Sequence, residues 1–107
     1  MYSAVHKADI AADKKSELAS YPGATLILYG SYARGDNKAG SDIDILVLLD
    51  KEKITYADRS KIGDPLYHIE PGVDIRISPR IVSREKWETT QSITPFYHNV
   101  LREGQSL

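Results

Sequence analysis

Apolar residues recur along the chain in two rhythms, and each change of rhythm marks an element. Between residues 3 and 20, Val5, Ala8, Ala11 and Leu18 keep near a 3.6-residue spacing until Tyr21-Pro22-Gly23 stops it, which predicts a moderately amphipathic helix. Thr25 to Tyr29 is short and apolar on both faces, the pattern of a buried central strand. Ser31 to Gly35 reads as the first turns of a short helix. From Asp42 to Leu49 the period falls to two. Ile43, Ile45, Val47 and Leu49 share one face, and Asp42, Asp44, Leu46 and Leu48 share the other. A weaker helical stretch runs from Tyr56 to Ile69, broken near Gly63, with Asp64 and Pro65 as an N-cap and first-turn pair. Pro71-Gly72 turns the chain into a third strand, Val73 to Ser78, which alternates Val and Ile with Asp74, Arg76 and Ser78. Ser83 to Thr89 and Pro95 to Glu103 read as short helices. The second has Thr94 as N-cap, Pro95 at its first position and Gly104 just past its end. Helices alternating with three strands predict an α/β fold, a small sheet with helical cover.

Composition narrows the class. The 107 residues are read as a single domain spanning 1–107, with no repeat and no linker. The absence of cysteine excludes disulfides, zinc–thiolate sites and thiol nucleophiles, and makes the cytoplasm the expected compartment. The apolar runs Leu26–Tyr29 and Ile45–Leu49 fall far short of the ~20 residues that span a bilayer, and the N-terminus lacks a signal-peptide pattern, so no membrane partner is expected. Charge is balanced, 14 Lys+Arg against 15 Asp+Glu, with no basic block of the kind that grips long nucleic acid.

The chemistry concentrates in Leu28-Tyr29-Gly30-Ser31-Tyr32-Ala33-Arg34-Gly35 and Ser41-Asp42-Ile43-Asp44-Ile45. A predicted strand ends in Gly-Ser at the start of a helix. Ten residues separate Ser31 from Asp42, and the next strand opens with Asp-x-Asp. Gly30 has no side chain, so phosphate oxygens can approach its backbone. The first N–H groups of the following helix and the Ser31 hydroxyl are donors to an anion. Asp42 and Asp44 project from one face of a strand, their Cα atoms roughly 6.6 Å apart, and can hold a divalent cation against a triphosphate. Oxygen ligands with phosphate select Mg²⁺. Asp74 and Arg76 share a face of the third strand, and Asp74 is suited to ligate a cation and accept a proton from an attacking hydroxyl. Arg34 either steadies phosphates or balances Asp36.

Taken singly these signals are weak: Gly-Ser most often marks a turn, and Asp-x-Asp a solvated strand end. Gly30-x4-Gly35 is not a Walker A loop, because Asp36-Asn37 stands where Lys-Ser/Thr is required. His6, His68 and His98 lack metal-ligand spacing. Tyr32, Tyr97 and Trp87 read as packing residues.

Together, Gly30-Ser31, Asp42-x-Asp44 and a later strand Asp resemble the polymerase-β-like nucleotidyltransferase superfamily. The likeness is to its minimal stand-alone members, some of which are antitoxins paired with HEPN-domain ribonucleases. It runs over nearly the whole chain, is strongest from Gly30 to Val47, and extends to the tail Pro95 to Gly104. The resemblance implies a mixed β-sheet with flanking helices, a bound nucleoside triphosphate, two Mg²⁺ ions, and transfer of a nucleoside monophosphate to a hydroxyl with loss of pyrophosphate. Carried over by position, Gly30 and Ser31 bind the triphosphate, Asp42 and Asp44 ligate the metals, and Asp74 is the third carboxylate. ATP is the implied donor.

Larger relatives carry a second domain that holds the acceptor. One domain alone predicts an acceptor with its own binding surface, a partner protein such as a HEPN toxin offering a Tyr, Ser or Thr hydroxyl. The rival readings are a binding module that acts by covering its partner, and an antibiotic-modifying enzyme built as a homodimer.

Overall fold

A computed structural model describes residues 18–38, 40–62, 66–70 and 73–107, with 66–70 and 73–75 described through the backbone alone. All but the end of the helix predicted over 3–20 lies outside the described residues, as do Asp64-Pro65 and Pro71-Gly72. In chain order the elements are β1 (Thr25–Tyr29), α1 (Ser31–Arg34), β2 (Ile43–Leu49), α2 (Tyr56–Ile62), β3 (Leu66–Glu70), β4 (Val73–Ser83), α3 (Arg84–Glu88), a 3₁₀ turn (Gln91–Ile93), α4 (Pro95–Glu103) and β5 (Gln105–Ser106). The strands form one five-stranded sheet in the order β3-β4-β2-β1-β5. β2 and β4 pair in parallel while the other neighbours are antiparallel, so the sheet is mixed, with helices against it.

The alternation in β2 sorts its side chains as the sequence predicts. Ile43, Ile45, Val47 and Leu49 enter one core with Leu26, Leu28, Ile62, Ile77 and Ile81. Leu46 and Leu48 enter a second with Trp87 and Val100, bordered by Tyr29, Phe96 and Tyr97. Each buried Leu or Ile contributes about 1.5–3 kcal/mol, so β2 anchors both layers. Trp87 packs at a tilt 4.8 Å from Tyr97 and edge-on 5.8 Å from Phe96, which meets Tyr29 edge-on at 5.2 Å. Thr94 caps α4 by accepting from the Tyr97 N–H at 3.1 Å, with Pro95 in the first turn.

Two predictions need correction. Residues 66–70 form a strand, not the end of a helix; the helix stops at Ile62. Tyr67 and Ile69 are strong strand formers, and pairing Leu66↔Arg76 through His68↔Asp74 satisfies backbone groups that a frayed helix end would leave open. The third predicted strand also runs on through Pro79 to Ser83. β3 pairs only with Val73–Arg76, so the other edge of β4 is open at Pro79, where a missing N–H is tolerated. The sheet therefore has five strands where the pattern predicts three.

At α2, Thr55 and Asp58 form a capping box: Thr55 Oγ1 accepts from the Asp58 N–H at 3.1 Å, and the Asp58 carboxylate from the Thr55 N–H at 2.9 Å. The same carboxylate, on a buried side chain, accepts from Lys51 Nζ at 2.7 Å and the Tyr21 hydroxyl at 2.8 Å. Among the described residues no helix is long and apolar enough to cross a membrane.

Candidate functional site

Among the described residues, helices cover only part of the second face of the sheet. α3 and α4 lie over Leu46 and Leu48, while no described element lies over the start of β2, which Asp42 immediately precedes and where Asp44 stands. Pairing of β1 with β2 sets Tyr29 across from Asp44, which brings the next residue, Gly30, beside that carboxylate. Gly30 adopts φ +77°, a conformation that favours glycine. A Cβ there would collide with Asp44 Oδ2 and lie 3.2 Å from its Cγ. The chain then turns into α1, whose end is closed by the Gly35 and Asp36 N–H groups donating to Ser31 O at 2.9 and 3.1 Å. The first N–H groups of such a turn have no partner within it.

Asp42 is exposed just ahead of β2, and Ser78 Oγ donates to its Oδ2 at 3.4 Å. Asp44 is half-buried. Burial first, then the charge of Asp42, pushes its carboxyl above the ordinary value, and Arg34 partly opposes this. Arg34 balances Asp36, its Nε donating to that carboxylate, and its Nη1 donates to Glu103, each at 3.1 Å. A cleft of about 360 Å³ joins these parts, with Gly30, Ser31, Arg34 and Asp44 on one side and Phe96, Asn99 and Glu103 of α4 on the other. The Arg80 guanidinium stacks 4.4 Å over Phe96 at its edge. Burial and the neighbouring Asp44 raise the Tyr29 hydroxyl above its usual pKa, against the pull of Arg80.

Gly30, Ser31, Arg34, Asp42 and Asp44 are thus brought together. Asp74 stands on β4, the strand parallel to β2, but the residue level with Asp44 is Ser78. Four residues at 3.3 Å each put the Asp74 Cα roughly 13 Å along the strand from that of Ser78. Among the described side chains no three His or carboxylate groups converge.

Sequence reasoning missed Ser78, Glu103 and Asn99. Ser78 shares the strand parity of Asp74 and Arg76, so a signal existed once the parallel register was known. Glu103 and Asn99 reach the cleft only because α4 packs across Tyr29, and nothing local to residues 95–103 announces that.

A Gly-Ser turn thus abuts an Asp-x-Asp strand on one face of a mixed sheet. The chain belongs to the nucleotidyltransferase domain family, whose model matches residues 11–95. It is also similar to a protein of Methanocaldococcus jannaschii (strain ATCC 43067 / DSM 2661 / JAL-1 / JCM 10045 / NBRC 100440) named "Putative protein adenylyltransferase", with 42% identity over 59 residues. That match covers 55% of this chain and 59% of the relative.

Proposed function

We propose that the chain moves a nucleoside monophosphate, AMP from ATP, onto a hydroxyl of a partner protein. The observation that carries this is the Gly30-Ser31 turn and Asp44 lining one cleft, with Asp42 close enough for its charge to act on the Asp44 carboxyl. The residues fit Mg²⁺: the donors are carboxylate oxygens, and the Asp44 carboxyl, raised first by burial and then by the charge of Asp42, is one whose ionised form a hard cation would favour. Asp42 and Asp44 would hold the metal; Asp74, four residues along β4 from the position level with Asp44, is too far away to share it as the third carboxylate. Bound there, Mg²⁺ supplies positive charge against the triphosphate oxygens.

The chain's own residues do the rest. The bare Cα of Gly30 leaves room for the triphosphate, while Ser31 and the turn's N–H groups donate to it. The acceptor oxygen attacks the α-phosphorus. A new O–P bond forms as the bond to the bridging oxygen breaks, and pyrophosphate leaves with the electron pair. The hydroxyl proton passes to a carboxylate within hydrogen-bond reach of the acceptor, which the Asp42/Asp44 pair supplies.

A protein acceptor agrees with the name of the archaeal relative and with a cleft open on one side. A HEPN-domain toxin is the acceptor that the family resemblance favours. The test is incorporation of α-labelled ATP into a lysate of the source cell, comparing wild type with Asp44→Asn, with and without Mg²⁺. A protein band labelled only with intact Asp44 and Mg²⁺ supports the reading and identifies the acceptor. No label, despite Mg²⁺-dependent ATP binding, favours a module that inhibits by covering its partner. Drug resistance conferred on a sensitive host would point instead to an antibiotic-modifying enzyme.

A further inference from the structure

The phosphate-side turn cannot hold its own shape. α1 is a single turn, and a helix that short has no stability in isolation. Its last carbonyls have no partner further along the helix. Two of the groups that fix it come from the far end of the described chain. Gln105 Nε2 donates to the Ala33 carbonyl at 2.8 Å, and the Glu103 carboxylate accepts from Arg34 Nη1 at 3.1 Å. Pairing of β5 with β1 sets the level of this contact, because Leu28↔Gln105 lies just ahead of Gly30.

Gly104 makes the approach close enough. Its φ of −69° is open to any residue, so the reason for glycine is space. A Cβ there would lie 2.5 Å from the Val100 carbonyl oxygen and 2.8 Å from Ile27 Cγ2. With no side chain at that point, α4 can end directly against β1, delivering Glu103 and Gln105 to consecutive residues of α1.

We infer that Glu103 and Gln105 are positioning residues that clamp the Gly30–Gly35 turn in the shape that receives the triphosphate, an inference that rests on the nucleotidyl-transfer reading. Gln105 fixes the backbone at Ala33, and with it the N–H groups at the start of the turn. Glu103 fixes the Arg34 side chain. Guanidinium has five N–H donors; the bonds to Asp36 and Glu103 use two, and the remaining three are aimed by the clamp. Pairing with Arg34 also keeps the Glu103 charge from repelling a triphosphate in the cleft it lines. The turn is therefore arranged before the nucleotide arrives, and binding need not supply the ordering.

The test uses the full chain with MgATP as the probe and three variants: Gln105→Met, Glu103→Ala and Glu103→Gln. Methionine keeps the length of glutamine without its donor; glutamine at 103 keeps an oxygen for Arg34. Loss of either contact should weaken MgATP binding about 5- to 10-fold, the worth of one hydrogen bond, and the double variant Glu103→Ala/Gln105→Met more. Glu103→Gln should retain affinity within about threefold of wild type. Amide hydrogen exchange across residues 31–36 should quicken in the double variant, while β2 stays protected and the melting temperature shows the variant folded. Wild type that binds MgATP, with a folded double variant binding within twofold of it, overturns the clamp alone. Faster exchange confined to β5, with 31–36 unchanged, also overturns it. Wild type that binds no MgATP overturns the nucleotidyl-transfer reading and the clamp together.

Discussion

The Asp44 carboxylate stands where a Cβ on Gly30 would have to go, so the Asp-x-Asp strand and the Gly-Ser turn meet at one point of contact. Gly30→Ala therefore strikes both. The new methyl would collide with Asp44 Oδ2, and alanine is strained at φ +77°. The expected cost is about 1–3 kcal/mol of stability. MgATP affinity should fall at least tenfold, because the carboxylate must rotate away. Calorimetric melting and MgATP titration of the same sample would check both effects.

Asp44 also makes the fold less stable than it could be. Its carboxyl is raised, first by burial and then by Asp42, so the neutral form is favoured in the folded state and ionisation at neutral pH costs stability. Asp44→Asn should accordingly melt a few degrees higher than wild type at pH 7 without metal. The gain should vanish near pH 3, where the wild-type carboxyl is protonated. Adding Mg²⁺ should raise the wild-type melting temperature and leave that of the variant unchanged. Melting curves at the two pH values, with and without Mg²⁺, decide it.

Asp58 behaves in the opposite sense. Hydrogen bonds from Lys51, then the Thr55 N–H, then the Tyr21 hydroxyl hold its carboxyl well below the usual range. Its stabilisation is fully present above the unfolded-state value of about 3.9 and is lost as pH falls below that. Wild type should thus lose stability steeply from about pH 4 downward. Asp58→Asn should be less stable at pH 7 and flatter through the acid range. Urea unfolding at successive pH values would expose the difference in slope.

A change far from the carboxylates should separate stability from nucleotide binding. Thr94 caps α4 through the Tyr97 N–H, so Thr94→Ala should cost about 1 kcal/mol. That corresponds to roughly 4–8 °C in melting temperature for a domain of this size. MgATP affinity, measured well below the transition, should stay within twofold of wild type.

Where local chemistry decides structure, the sequence was enough. Thr94, Pro95 and Glu103 mark α4 from end to end, and the two-residue rhythm of Ile43 to Leu49 sorts β2 into its two cores. Gly30, Ser31, Asp42 and Asp44 were legible because one turn and one strand place them. Partners distant in the chain were not. Leu66–Glu70 is a strand because β4 lies beside it, and only the parallel register of β2 with β4 makes Ser78, rather than Asp74, level with Asp44. Gly104 was read as a helix stop; its glycine answers to Ile27, which no local pattern connects to it.

The shortness of β5 has a consequence for how the molecule behaves in a crowd. β1 is an apolar strand, and without a neighbour on its outer side Ile27 and Leu28 would present free backbone groups to any passing chain, a template for fibrous self-association. β5 occupies those groups with two polar residues and then offers almost no edge of its own. Fusions or nicks placed after Glu103 should therefore be judged by light scattering as well as by activity, since removing so small a strand would leave a growing edge exposed.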